Sequence, residues 1–284
     1  MNKKKLSIAI PASVISDTPH LREKTSKIGL IARAAAIFRI NEIIIYPDNA
    51  KISQQHETNF IELLLNYIET PQYLRKTLFS IEPYLQYAGI LPPLRTPHHP
   101  ISGKTKHLKI GEYREGLVLS ETKEGLLVDI GVQQPALLRQ KQFNLGRRIT
   151  TQIIKVGSQT EIQVVDPEEV PLYWGFKVRS KEQPFGKTLK GSNFDLKIAT
   201  ARIGSNLNNV IQMINTRWKT SMNVLVAFGA PARGLHEIAL DEGFELESLV
   251  DFIVNTIPKQ GTATVRTEEA IVASLAIFNL LINY

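Results

Sequence analysis

Three stretches of this 284-residue chain carry residue types that could do chemistry. In VLVAFGAPARGL, residues 224–235, an apolar run ends in Gly229, Pro231 and Gly234. At the carboxyl end of a buried strand, such residues let backbone come close to a ligand. The same residues also make a tight turn, and taken alone the spacing favours the turn. The pattern is not G-x-G-x-x-G, and it lacks the Lys-Ser/Thr ending of a phosphate loop. The second stretch, NTIPKQGTATVRTEEA, runs from 255 to 270 between the apolar runs LVDFIV and AIVASLAIFNLL. It holds Pro258, Gly261, Thr256, Thr262, Thr264 and Thr267, with Arg266 beside Glu268 and Glu269. A Thr followed by two acids reads as a helix start: a hydroxyl cap, then carboxylates at the positive end of the dipole. That reading leaves the length of the stretch and the presence of Arg266 unexplained. The third is a stripe, Arg22, Ser26, Gly29 and Arg33, at offsets of four, three and four along a helix. Small residues between two Arg would leave an open, positive groove. Arg22 reads as a solvated cation. Arg33 lies within IARAAAIF, among residues suited to burial, where a guanidinium needs a partner.

Other chemistries are excluded. With six His and no Cys, the chain has no Cys-based zinc site, no disulfide framework and no thiol nucleophile. H-E-x-x-H and G-x-S-x-G are both missing. His98 and His99, between Pro97 and Pro100, read as a surface turn rather than as metal ligands, and no metal is expected. The formal charge of +7 favours an anionic partner. Its distribution sharpens this. Residues 95–109 hold Arg95, Lys104, Lys106 and Lys109 with no acid, and residues 139–155 hold Arg139, Lys141, Arg147, Arg148 and Lys155, again with no acid. Such clusters suit a phosphate backbone, whose binding energy is largely charge neutralisation. The candidate nucleic-acid contacts are Arg95, Lys104, Lys106, Arg147 and Arg148 of these clusters, with Arg22 of the stripe.

The elements that must hold these residues follow from periodicity. Leu6–Ile10 reads as a first strand, because Ser7, Pro11 and Ser13 interrupt any signal-peptide core. Residues 19–38 read as a helix, 42–47 as a strand buried on both faces, and 59–70 and 71–80 as helices. Near residue 90 the grammar changes, with Pro92, Pro93, Pro97 and Pro100 close together. From 91 to 172 the chain is short β-like pieces cut by turns, as in a small OB-like barrel. Strand–helix alternation returns with FDLKIAT, a helix over 206–219, NVLVAFG and LVDFIV. The expectation is a discontinuous α/β domain, residues 1–90 and 173–284, interrupted by a β-barrel over 91–172. No stretch approaches the roughly 18 apolar residues of a membrane helix, so a cytoplasmic protein is expected.

In order and together, these segments resemble the SPOUT, or α/β-knot, superfamily of S-adenosylmethionine-dependent RNA methyltransferases. KIGLIARAAAIFRINEIII resembles the first motif, a helix with a functional Arg leading into a buried strand. VLVAFGAPARGL resembles the second, and NTIPKQGTATVRTEEAIVASLAI the third. More closely, ARAAAIFR, PLRTPHH, YWGFKVR and NTIPKQGTATVRTEEA resemble the archaeal and eukaryotic branch with an inserted barrel. The resemblance implies a trefoil-knotted α/β domain that binds bent S-adenosylmethionine between the second and third motifs. Carried onto this chain, the contacts would lie at Thr200, Gly229, Pro231, Gly234, Ile257, Gly261, Thr262, Val265, Thr267 and Ala270. It also implies a homodimer, with Arg33 reaching the substrate near the methyl group, often from the other subunit.

One departure bears on the target. The ribose-methylating branch usually has Asn and Ser where this chain has Arg266 and Glu268. The resemblance then implies a base nitrogen, with uridine N3 of ribosomal RNA favoured. Glu268 is the candidate base, and Arg33 or Arg266 the stabiliser of the anion. The alternatives are a ribose 2′-O or tRNA methyltransferase, or an inactive RNA-binding or ribosome-assembly factor. A nucleotide hydrolase is disfavoured by the missing phosphate loop.

Overall fold

The computed structural model describes residues 3–282 of the chain. The chain divides into two compact units. One comprises the chain up to Ile68, Pro83–Pro93 and the chain from Phe176; the other comprises Glu69–Glu82 and Leu94–Gly175.

In the first unit the apolar runs become parallel strands. β1 (Lys5–Pro11) leads through α1 (Leu21–Ile37) to β2 (Glu42–Tyr46), and then to α2 (Gln55–Glu69). In the barrel unit, Pro71 is the N-cap of α3 (Gln72–Leu78) rather than its first residue. The barrel unit supplies β3 (Tyr113–Glu121), β4 (Leu126–Asp129), β5 (Ala136–Leu138), β6 (Arg148–Lys155) and β7 (Glu161–Val164). The chain returns to the first unit as β8 (Lys177–Ser180), α4 (Phe185–Lys190), β9 (Leu196–Asn206) and α5 (Leu207–Thr220). It closes with β10 (Asn223–Ala227), α6 (Leu235–Asp241), β11 (Phe252–Asn255) and α7 (Thr267–Ile282).

The six strands form one parallel sheet in the order β11-β9-β10-β1-β2-β8. Strands β1 and β2 are buried almost throughout, as their unbroken apolar runs require of a sheet covered on both faces. Phe185, Leu189, Leu235, Ile238 and Ala239 of α4 and α6 pack on one side against Ala9, Ile44, Tyr46, Leu225 and Ala227. Successive strand residues face opposite ways, so Ile8, Ile10, Ile43 and Ile45 are left for the other face. α7 packs against both α1 and α5, and Trp218 stacks on Phe278 with ring centroids 5.8 Å apart.

The sheet holds one large irregularity. Between adjacent β11 residues Ile253 and Val254, the partner on β9 jumps from Ala199 to Ser205. Residues 200–204 therefore stand out of the ladder. The return is tight: a β-carbon on Gly204 would lie 2.7 Å from the Val254 carbonyl carbon. FDLKIAT is thus the regular start of a longer, interrupted strand.

The barrel closes in the order β3-β4-β5-β7-β6, with β5 and β7 parallel and the other pairs antiparallel. Its core is Val118, Leu126, Val128, Ile130, Ala136, Leu138, Ile149, Ile153 and Ile162. The short strands β5 and β8 and the short helices α4 and α6 escaped the sequence reading, because three to seven residues are too few for a period to register. No helix among the described residues is long and apolar enough to cross a membrane.

Candidate methyl-donor cavity

Three connections leave the carboxyl ends of neighbouring strands: the β9 excursion, the loop after β10 and the loop after β11. Together they enclose a cavity of about 410 Å³. This is where open α/β sheets place ligands, and the volume is that of a small-molecule site. Its wall includes Thr200, Gly229, Pro231, Gly234, Ile257, Val265, Thr267 and Ala270. Gly261 and Thr262, also expected there, lie outside the wall, although Gln260, Ala263 and Thr264 beside them belong to it. A β-carbon on Gly261 would meet nothing within 4 Å, so the surrounding protein does not demand glycine there.

The loops are held by side chains that reach backbone oxygens. Thr267 does not cap its own helix. Its hydroxyl donates to Gly229 O at 3.0 Å and ties the start of α7 to the β10 loop. The cap comes from Glu269, whose carboxylate accepts the Arg266 N–H at 2.9 Å, the returning half of a capping box. Thr256 shares a buried hydroxyl–hydroxyl bond of 2.8 Å with Ser274 of α7. Arg202 donates to Ala263 O at 3.1 Å, and Thr200 donates to Ala227 O at 3.0 Å. Tyr46 donates to Phe228 O at 2.5 Å from within the core. Two of the four threonines of the 255–270 stretch, Thr256 and Thr267, thus fasten it to α7 and the β10 loop, and Arg202 fastens it to β9.

Arg233 fastens the β10 loop to the segment after β2. Its guanidinium bonds Asp241 at 2.7 Å, the carboxylate of buried Asp48 at 3.4 Å and the Asp48 carbonyl. Asp48 also accepts the Ser13 N–H and hydroxyl and the Gln54 amide. An acid directly after the buried strand run EIIIYP is the sequence signal that could have found it.

The three candidate catalytic residues do not line the cavity. Arg33 is half-buried on α1 and donates to Pro93 O at 3.1 Å. The expected groove beside it is filled: Leu91 and Pro92 cover Gly29, where a β-carbon would come within 2.8 Å of Pro92 Cδ. Arg266 is exposed. Glu268 is buried and turned towards α1, where Lys27 lies 3.2 Å from its carboxylate and 2.6 Å from Asp17.

In the barrel unit, Arg22's expected companions separate. Arg95, Lys104, Lys106 and Arg147 are exposed, as is Arg22 itself on α1 of the other unit. Arg147 sits over the Phe143 ring at 5.4 Å. Arg148 is not available to a phosphate. It bonds Glu69 at 2.7 and 3.2 Å and Glu115 at 2.5 Å from the first position of β6, whereas Arg147 precedes the strand and is exposed. Glu115 also accepts from Thr150 and from the Trp174 indole. His98 is not on a surface turn. It is fully buried, with Nε2 3.1 Å from the Glu69 carboxylate. Burial alone would raise Glu69, but Arg148 and His98 hold it down to about 2. Burial, with His98 adjacent, lowers His99 to about 4. PLRTPHH and YWGFKVR thus converge on one buried polar network. Among the described residues, no group of His, Asp and Glu could hold a metal.

Comparison with known proteins agrees with this geometry. Residues 5–278 match a family model described as "Putative RNA methyltransferase". An uncharacterized protein of Halobacterium salinarum is 35% identical over 96% of this chain and 98% of its own. Proteins named 28S rRNA (uridine-N(3))-methyltransferase are similar too. That of Drosophila melanogaster is 32% identical over 97% of this chain and 62% of its own, and that of Mus musculus 33% over 95% and 75%. With the sheet, the inserted barrel and the cavity under a match spanning nearly the whole sequence, the chain belongs to this family of RNA methyltransferases.

Proposed function

We propose that this protein transfers a methyl group from S-adenosylmethionine to a base nitrogen of ribosomal RNA, with uridine N3 the favoured atom. The observation that carries the reading is the cavity at the carboxyl ends of β9, β10 and β11. Its wall holds eight of the ten residues at which the cofactor was expected. Its backbone-rich loops and apolar side chains Ile257, Val265 and Ala270 fit a nucleoside thioether. The names of the relatives support the choice of N3.

When bound, the cofactor supplies an electrophilic methyl on a sulfonium. The chain's own residues hold the reactants and exclude water. N3 of uridine must give up its proton, to solvent water, before its lone pair can form the new N–C bond as the C–S bond breaks, leaving S-adenosylhomocysteine. Arg33 and Arg266 are the cations assigned to the resulting anion. Glu268, buried against Lys27, is not presented to a substrate atom, and we route no proton through it. The superfamily resemblance carries a knotted homodimer, in which Arg33, outside the wall of its own chain, would complete the site of a second copy. Arg22, Arg95, Lys104, Lys106 and Arg147 would engage phosphates.

The test is mass spectrometry of ribosomal RNA nucleosides from cells with and without the gene, followed by methyl transfer to the unmodified RNA by purified protein. Loss of 3-methyluridine and its restoration in vitro are expected. Cofactor binding without transfer to any RNA would instead favour an assembly factor. Within the site, Thr267→Val removes the donor to Gly229 O while keeping the side chain's shape. The unsatisfied carbonyl costs about 1–3 kcal/mol, so affinity for S-adenosylhomocysteine is expected to fall roughly tenfold in calorimetry.

A further inference from the structure

The cavity wall carries four charged or titratable side chains, Arg202, Arg233, His236 and Glu237. Two are already engaged. Arg233 lies between the carboxylates of Asp48 and Asp241. The His236 ring lies 3.6 Å from Glu247. The other two differ. Arg202, on the β9 excursion, meets only the neutral carbonyl of Ala263 among its described bonds. Glu237, in the first turn of α6, has no described ion pair. Both are exposed side chains. The site thus presents one cation and one anion from different elements, neither with a charged partner among the described residues.

We propose that Arg202 and Glu237 recognise the amino-acid end of the methyl donor, Arg202 its carboxylate and Glu237 its ammonium. The inference rests on the cavity being the methyl-donor site. Neither residue belongs to the motifs that marked the cofactor loops. The rest of the wall is backbone, apolar side chains and uncharged polar side chains such as Thr200, Asn255 and Gln260, and it offers no other unpaired charge of either sign among the described residues. A zwitterion needs both. Arg202 also explains the β9 excursion functionally, since a regular strand would keep this residue in the ladder and out of the cavity.

The test compares two ligands on the full-length protein by calorimetry. S-adenosylhomocysteine carries the amino-acid end; 5′-methylthioadenosine keeps the nucleoside and sulfur but lacks it. Arg202→Gln and Glu237→Gln are each expected to weaken S-adenosylhomocysteine at least tenfold and to change 5′-methylthioadenosine less than twofold. Arg202→Gln also removes a loop contact, so Glu237→Gln, which removes none, is the cleaner arm. Arg202→Lys should recover part of the lost affinity. Equal losses for both ligands, or no loss in either Gln variant, overturn the inference while leaving the cavity assignment intact. Wild-type protein that binds neither ligand overturns the methyl-donor reading and this inference with it.

Discussion

Gly234→Phe is expected to abolish binding of S-adenosylhomocysteine, a loss of at least about 100-fold or about 2.8 kcal/mol, in a protein that still folds. Gly234 belongs to the cavity wall. It is the N-cap of α6 with φ −76° and ψ 165°, an extended conformation open to any residue. A β-carbon there meets no atom within 4 Å. The β-carbon is therefore admitted without displacing protein, and the ring beyond it is expected to compete with the ligand for the cavity. Calorimetry reads the affinity and a thermal melt followed by circular dichroism reads the fold. Undiminished affinity in a folded variant would place the ligand elsewhere.

The second large effect separates two adjacent residues. Arg148→Ala leaves the carboxylates of Glu69 and Glu115 buried without their cation, and removing one partner of such a group costs about 3–5 kcal/mol. The barrel unit is expected to lose most of its stability, seen as a lower denaturant midpoint for the Trp174 signal, since that indole bonds Glu115. Arg147→Ala, one residue away and exposed, should leave that midpoint unchanged. Its effect should appear in RNA binding, as a smaller dependence on salt. A destabilised Arg147 variant, or an Arg148 variant as stable as the parent, would contradict the network described above.

These cases mark how far the sequence could be read. The buried strands were legible because continuous apolar runs have few other interpretations, and the two cofactor loops because they sit at strand ends with glycine and proline. The placement of charge was not. Arg147 and Arg148 look alike in a basic cluster, and only the folded chain separates them, with Arg148 on Glu69 and Glu115 and Arg147 exposed. Glu268 beside Arg266 looked like a catalytic pair, but helical geometry sends Glu268 to Lys27 of α1. Thr267 looked like a cap, and its hydroxyl serves a carbonyl 38 residues away in sequence. Arg202 gave no signal at all, because a strand that steps out of its ladder keeps a strand-like sequence.

The chain enters the barrel unit at Glu69 and leaves it at Gly175, with Pro83–Pro93 returning to the first unit between, and Gly175 lies against the Glu69 side chain. Gly175 has φ +85°, and a β-carbon on it would lie 2.5 Å from the Glu69 carboxylate. An insertion whose ends meet behaves during folding as a short loop. Strand β8 must find β2 across this insertion. If roughly 100 residues were still unfolded, loop-closure entropy would oppose that pairing, growing with the logarithm of their number. A barrel that folds first removes most of that cost and delivers β8 beside β2. A side chain at 175, strained at this positive φ and crowded against the Glu69 and His98 side chains, is therefore expected to slow the pairing of β8 with β2.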